Sequence, residues 1–401
     1  MSEKEFFSAK EAASELGISL PTLYAYVSRG LLRSEATNGK SRARRYHAAD
    51  IANLKQKQTY RKHPDQIASD TLQHGMPILE SAITLIEKGS LFYRGHNALE
   101  LATTHSFEEI CILLWNGELD STSDLFSSTQ FPDISLVTSE TVASPIEQFQ
   151  MWLPLAASRD LGAYDFSDAG IQRTAARILK LMTSIVIGQP PAAGQPLAQA
   201  LQTSWIPDHP DRQAAIEAAL ILSADHELNV SAFTARCIAS AGSTLYQVIQ
   251  GGLAALQGFR HGGHSQRVAA LFDEVAEDIP TKVASFIRRG ENLPGFDHPL
   301  YPNGDPRAVK LIELAEAHAL SNRSLAIAYE VKQVVFDAQQ RHPNFDFGLV
   351  TLCRSLELPQ HAPIVLFALG RTAGWVAHAL EQINTNQLIR PRARYVGKKN
   401  D

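Results

Sequence analysis

Cysteine is scarce in this chain of 401 residues, with three in all. Cys111, Cys237 and Cys353 lie far apart, each in apolar sequence. That pattern excludes a disulfide framework and offers no metal-ligand spacing, so they read as buried free thiols in a reducing compartment. Long hydrophobic runs are wanting too: no stretch reads as apolar enough to span a bilayer, and no membrane partner is expected. Met1-Ser2-Glu3-Lys4-Glu5 lacks the basic start and apolar run of a secretory signal. A cytoplasmic protein is the expectation. Also missing are the glycine patterns of Rossmann and P-loop nucleotide sites, HExxH and GxSxG.

What is there is ordinary globular material, 44% apolar and 20% charged, long enough for a large core and more than one domain. The charge is unevenly spread. Residues 1–62 carry twelve Lys/Arg against six Asp/Glu, a net +6, while the whole chain is −5, which leaves −11 for residues 63–401. A basic head on an acidic body points to two parts with different partners.

Residues 6–57 read as a compact helical module. Ser8 is an N-cap with Glu11 at the capping-box position, and Gly17 terminates the first helix. Ser19 caps a second helix with Pro21 in its first turn and Gly30 as its stop. Such spacing is that of a helix-turn-helix, with Thr22, Tyr24, Tyr26 and Arg29 as candidate DNA readers on the second helix. Lys40 to His47 then forms a basic wing, with Arg42, Arg44 and Arg45 as candidate phosphate contacts, feeding a third helix at Ala49–Leu54. The order resembles the winged helix-turn-helix head of the MerR and excisionase type. The alternative is a packing or dimerisation element that binds no DNA. Residues 63–74 read as a linker, within a basic, polar connector from Gln56 to Asp70.

The body, residues 75–401, opens with a β-hairpin expected over Glu80–Ile86 and Gly89–Gly95. From Leu99 onward helical periodicity dominates: Phe107–Trp115 stopping at Asn116-Gly117, Ile146–Ala157 and Ile171–Ile187. Gln189–Pro196 is a surface loop. The body is therefore mainly α, and the fold class is all-α, preceded by the small winged helix-turn-helix head. Two histidines stand out. His226 sits between Asp225 and Glu227, just before a helix start at Asn229. His261 precedes Gly262-Gly263, where the backbone has room to approach a ligand closely. Small residues between them let two helices pack tightly and fix both imidazoles. Downstream, a turn-rich loop presents His298, with Arg307 at the start of a helix. Asp346 lies between Phe345 and Phe347, where apolar surroundings raise a carboxylate's pKa and strengthen it as a base. Arg371 is set in an apolar helix and needs an anionic partner. An arginine cluster, Arg390-Pro391-Arg392-Ala393-Arg394, closes the chain.

With these motifs in order (Y-R-G at Tyr93, G-E-L at Gly117, A-D-H-E-L-N, H-G-G, D-P-R-A, P-N-x-D, R-T-A-G-W and R-P-R-x-x-Y), the sequence resembles the citrate synthase family from about Gly75 to Gly397. The resemblance implies an all-α homodimer with large and small helical domains, the small one near residues 255–355, closing on substrate between them. It implies that His226, Arg307 and Arg371 hold oxaloacetate, joined by Arg390 across the dimer. Asp346 would take a proton from the acyl-CoA thioester and His261 would stabilise the enol(ate). His298 would polarise the oxaloacetate carbonyl, and Phe367 would line the acyl pocket. No metal is implied, and no cofactor beyond the coenzyme A thioester, which is a substrate. Acetyl-CoA is the expected acyl donor, giving citrate; propionyl-CoA, giving 2-methylcitrate, is the alternative. A second reading is a DNA-binding regulator whose body senses oxaloacetate or acyl-CoA. The chain departs from the family pattern at Asp297, where glycine is usual, and at Pro299 and Pro302, where basic residues are common. His264-Ser265-Gln266 likewise replaces a common Ala-Asn-Glu.

Overall fold

A computed structural model describes residues 6–28, 32–36, 44–48, 50–51, 79–119, 124–129, 144–393 and 395–398. The chain divides into two compact units, Met1–Glu80 with Arg392–Asp401, and Ser81–Pro391. The expected stop at Gly30, most of the third helix and the Gln56–Asp70 connector lie outside the described residues.

In the first unit, strand β1 (Phe6–Ser8) leads into α1 (Ala9–Leu16) and α2 (Leu20–Ser28). Ser8 and Glu11 form the expected reciprocal capping box, and Gly17 ends α1 in the left-handed conformation with φ 61°. Strands β2 (Ser34–Ala36) and β3 (Arg44–His47) complete an antiparallel sheet of order β1-β3-β2. Ala12, Leu16, Leu23, Leu32, Tyr46 and Ile51 make its core.

The second unit begins with a meander of β4 (Thr84–Glu87), β5 (Ser90–Tyr93) and β6 (His96–Asn97). Glu87 pairs with Ser90 across a two-residue turn in which Lys88 and Gly89 both have positive φ, the twist a tight hairpin requires. The strand starts at Thr84, so residues 80–83 are not in it as expected. Helices then follow in sequence. They are α3 (Ala98–Thr104), α4 (Phe107–Asn116), α5 (Leu125–Ser128), α6 (Pro145–Ala157), α7 (Asp168–Ile187), α8 (Leu197–Trp205), α9 (Gln213–Ser223), α10 (Val230–Ser240) and α11 (Leu245–Leu256). Beyond them lie α12 (His264–Val275), α13 (Ile279–Arg288), α14 (Pro306–His318), α15 (Asn322–Gln339), α16 (Phe345–Ser355) and α17 (Ala362–Thr385). The expected helices over 107–115, 146–157 and 171–187 are all present.

Two hydrophobic clusters organise this unit. The larger gathers around α17, which packs against α4, α7 and α9–α11. The smaller draws on residues between Val268 and Val350, from α12, α13 and α15, with part of α16. Helix α17 has 24 residues and is long and apolar enough to cross a membrane, but its apolar window is wholly buried inside the protein. Arg371 and His378 break its hydrophobicity, which is why the sequence does not announce it.

Cys111 and Cys353 are buried as expected, but Cys237 is only half-buried. Helix α10 turns Ala232, Ala235, Arg236 and Ala239 inward, and Cys237 falls just off that stripe.

Glycine lets α9 and α17 cross closely. A Cβ on Gly374 would run into the Ala224 carbonyl and the Asp225 carboxylate, and one on Gly370 into the Leu220 carbonyl. Backbone cannot step aside as a flexible side chain would. Gly374→Ala is therefore expected to cost about 1–3 kcal/mol, read as a lower urea midpoint with an unchanged slope.

Candidate active site

The site is built outward from the loop between α9 and α10. Gly374 N–H donates to the Ala224 carbonyl at 3.0 Å. The Tyr93 hydroxyl lies 3.1 Å from the carbonyls of both Ile221 and Asp225. Asp225 is fully buried, with Thr84 Oγ1 donating to it at 2.6 Å and His378 Nε2 lying 3.3 Å away. Burial alone would raise this carboxyl's pKa, but His378 and then Arg371 hold it below the usual range. So anchored, the loop points His226 inward.

His226 is 7% exposed, and its Nε2 lies 3.0 Å from the Tyr301 hydroxyl. Its ring meets His298 edge-on, with centroids 4.9 Å apart. Burial, then the Arg307 charge, depresses its pKa well below the ordinary value, so His226 is neutral. His298 accepts the Leu300 N–H on Nδ1 at 3.2 Å. In the neutral ring the proton then sits on Nε2.

His261 is fixed by the Asn229 cap of α10. Asn229 Oδ1 accepts the backbone N–H groups of Ser231 and Ala232, both at 3.1 Å. Ser231 Oγ receives Trp375 Nε1–H at 3.1 Å and lies 2.7 Å from both Asn229 Oδ1 and His261 Nε2. Asn229 Oδ1 can only accept, so the Ser231 hydroxyl donates to it, and His261 Nε2–H in turn donates to Ser231 Oγ. Burial, then the Arg371 charge, pushes the His261 pKa down to about 3, so this ring is a neutral donor.

Asp346 follows Asn344, whose side chain caps α16 by accepting Asp346 N–H at 3.1 Å. Burial pushes Asp346 up to about 7, against the pull of Arg307 and Arg371. Its Oδ1 is buried without a hydrogen-bond partner among the described residues. Arg307 and Arg371 are 3% and 1% exposed. Arg307 is gripped by Asp305, Nε to Oδ1 at 3.0 Å and Nη2 to Oδ2 at 2.7 Å. Burial works against its charge, but Asp305 more than offsets that and raises its pKa. Arg371 donates from Nε to the Ser223 carbonyl at 2.8 Å, and burial lowers its pKa to about 10, leaving it a cation at neutral pH. Its guanidinium lies 5.0 Å over Phe367, which in turn faces His261 edge-on at 5.8 Å and Phe345 at 5.2 Å.

Seven of the eight body residues singled out in the sequence thus share one neighbourhood. Arg390 is not brought into it: it is exposed and, among the described residues, makes no hydrogen bond or ion pair there. Sequence reasoning missed Tyr301, Asp305, Ser231, Trp375 and the Asp225–His378 pair. Asp305, Asp225 and Trp375 lay within quoted motifs, D-P-R-A, A-D-H-E-L-N and R-T-A-G-W, and that was the available signal.

In the head, Tyr24, Arg44 and Arg45 are exposed, but Arg45 is engaged by Glu35 at 2.9 Å and lies 4.1 Å over Phe6. Thr22 is bonded to Ser19 at 2.8 Å, and Tyr26 packs against the head's core. Arg29 and Arg42 lie outside the described residues.

Residues 71–392 match the family described as citrate synthase, C-terminal domain. The chain belongs to the citrate synthase family. It is an enzyme of that family carrying a helix-turn-helix domain, which matches residues 6–59. Similar proteins include citrate synthase of Haloferax volcanii, 29% identical over 81% of this chain and 95% of that protein. Citrate synthase 2 of Bacillus subtilis is 30% identical over 80% of this chain and 94% of its own. The 2-methylcitrate synthase of Mycobacterium tuberculosis is also 30% identical, over 80% and 89%. Among solved structures, citrate synthase of Thermoplasma acidophilum in a ternary complex with carboxymethyl coenzyme A and oxaloacetate superposes with TM-score 0.70. It is 26% identical and covers 83% of this chain and 97% of that one.

Proposed function

We propose that this protein condenses an acyl-CoA thioester with oxaloacetate, acetyl-CoA giving citrate or propionyl-CoA giving 2-methylcitrate. The observation that carries the reading is Asp346, half-buried, with its Oδ1 buried and unpartnered among the described residues and the carboxyl poised at about 7 near two buried arginines. A thioester α-proton is far less acidic than a carboxylic acid, so a base alone fails and the forming enolate oxygen needs a donor. With the Ser231 hydroxyl turned from Asn229 Oδ1 to His261 Nε2, the imidazole proton lies on Nδ1 and supplies one without carrying charge, worth about 3–4 kcal/mol in a dry site. His298 Nε2–H polarises the keto oxygen of oxaloacetate and protonates it as the carbon–carbon bond forms. His226, Arg307 and Arg371 hold the dianion. Water then hydrolyses the thioester once condensation is complete.

A homodimer is part of this reading. Met151, Leu155, Leu161, Tyr164 and Phe166 are exposed apolar residues on and after α6 that a second copy would cover, and Arg390 would complete the partner's site. The head would bind DNA through Tyr24 and Arg44, with Arg45 partly neutralised by Glu35.

The test is thiol release from acetyl- or propionyl-CoA in the presence of oxaloacetate. No release with either donor, while oxaloacetate binding is detectable, favours the regulator and sinks the enzyme. A finer check is Ser231→Ala, which removes the hydroxyl that sets the His261 tautomer. It is expected to lower kcat by about 10-fold or more with KM for oxaloacetate little changed, since one hydrogen bond is lost only as the enolate forms. An unchanged kcat would place the proton elsewhere.

A further inference from the structure

Asp297 stands immediately before His298 with φ 61°, a backbone region glycine enters freely and a residue with a Cβ enters reluctantly. Its carboxylate is taken by Arg341, whose Nε donates to Oδ2 at 2.5 Å. The same guanidinium donates to Asn292 Oδ1 at 3.0 Å and to the Phe296 carbonyl at 3.5 Å. Around this pair the chain is stitched to the segment that opens α16. Asp297 N–H donates to the His342 carbonyl and Asn344 N–H to the Gly295 carbonyl, both at 2.8 Å, and Phe296 bridges Pro343. Asn344 uses its Nδ2 on the Asp297 carbonyl at 3.3 Å while its Oδ1 caps the helix bearing Asp346. From the other side, His264 Nε2 accepts Gly295 N–H at 3.0 Å.

We propose that Arg341 is a positioning residue: it clamps Asp297 in the left-handed conformation and thereby holds the His298 turn in register with Asp346. The inference rests on the condensing role assigned above. Two of the groups that must act together, the carbonyl polariser and the base, sit on separate pieces of chain, and this seam joins them. A glycine at 297 would adopt φ 61° without help. The aspartate does so with its carboxylate tied down, so Arg341 and Asp297 work as a pair. Arg341 reaches the chemistry only through that turn.

Four forms of the full chain test this: wild type, Arg341→Ala, Arg341→Lys and the double variant Arg341→Ala/Asp297→Gly. Hydrogen exchange across residues 293–304 is followed alongside kcat and KM for thiol release. Arg341→Ala is expected to expose the Asp297 and Tyr301 amides and to lower kcat by about 10- to 100-fold with smaller changes in KM, as for a misplaced catalytic group. Arg341→Lys, which keeps the charge but loses the fork, should fall between. In the double variant glycine needs no clamp, so protection and kcat should both return most of the way. Wild-type exchange and kcat in Arg341→Ala would overturn the proposal. So would a double variant no better than the single one, whether or not stability has changed. If wild type itself releases no thiol, the condensing role fails, and the exchange arm still decides the clamp.

Discussion

Asp346→Asn is expected to lower turnover by about 10²–10⁴-fold, the range for loss of a general base, while oxaloacetate still binds. Asparagine keeps the shape and the α16 cap but cannot take a proton. The wild-type pH profile should show the matching acid limb. Burial holds the carboxyl at about 7, so kcat/KM should rise as pH climbs through that value. The same shift has a stability sign. Below about pH 4 the carboxyl is protonated in both folded and unfolded chains. Between about 4 and 7 the unfolded chain sheds its proton while the folded one keeps it, so this group's contribution to stability falls as pH rises and is lost above 7. Asparagine has no such penalty. Asp346→Asn should therefore be the more stable form at pH 8, by on the order of 2–4 kcal/mol, and no more stable at pH 3.5. Retained turnover would remove Asp346 from the mechanism. Equal stability of the two forms at pH 8 would mean that burial does not raise the pKa of this carboxyl.

Much of this site was legible because its chemistry depends on local signals. The caps at Ser8 and Asn229 bind backbone within three residues, so a short window contains both partners. Asp346 between two phenylalanines likewise carried its environment with it. What the sequence could not show were pairings made by the fold. Asp225 meets Thr84 from a strand and His378 from α17, which no local window relates. Tyr301 was visible in its loop, yet nothing nearby said it would face His226. Asp297 reads as a negative charge beside His298; only in the folded chain is its carboxylate taken by Arg341 from another loop. Arg45 is the same lesson in the head: a wing arginine suited to phosphate is met by Glu35 across the sheet.

Asp305→Ala is expected to destabilise the protein by about 3–5 kcal/mol, the cost of leaving a buried charge without its partner. Arg307 is 3% exposed, and a second buried cation, Arg371, contributes to the same local field. Little solvent reaches a guanidinium so buried, and it cannot give up its proton at ordinary pH. The loss reaches the base as well, because Asp305 Oδ2 also accepts Phe345 N–H at 3.2 Å, at the start of the helix that carries Asp346. Two controls separate charge from packing. Asp305→Ala/Arg307→Met removes both members of the pair and fills the space with an uncharged chain, so it should recover much of the stability without gaining any on adding oxaloacetate. Asp305→Ala alone should gain stability on adding oxaloacetate, since the dianion brings charge to the orphaned guanidinium. A single variant that melts within about 1 kcal/mol of wild type would mean Arg307 reaches solvent or another carboxylate. Its assignment as a dry, pre-formed anchor for the substrate carboxylate would then fall with it.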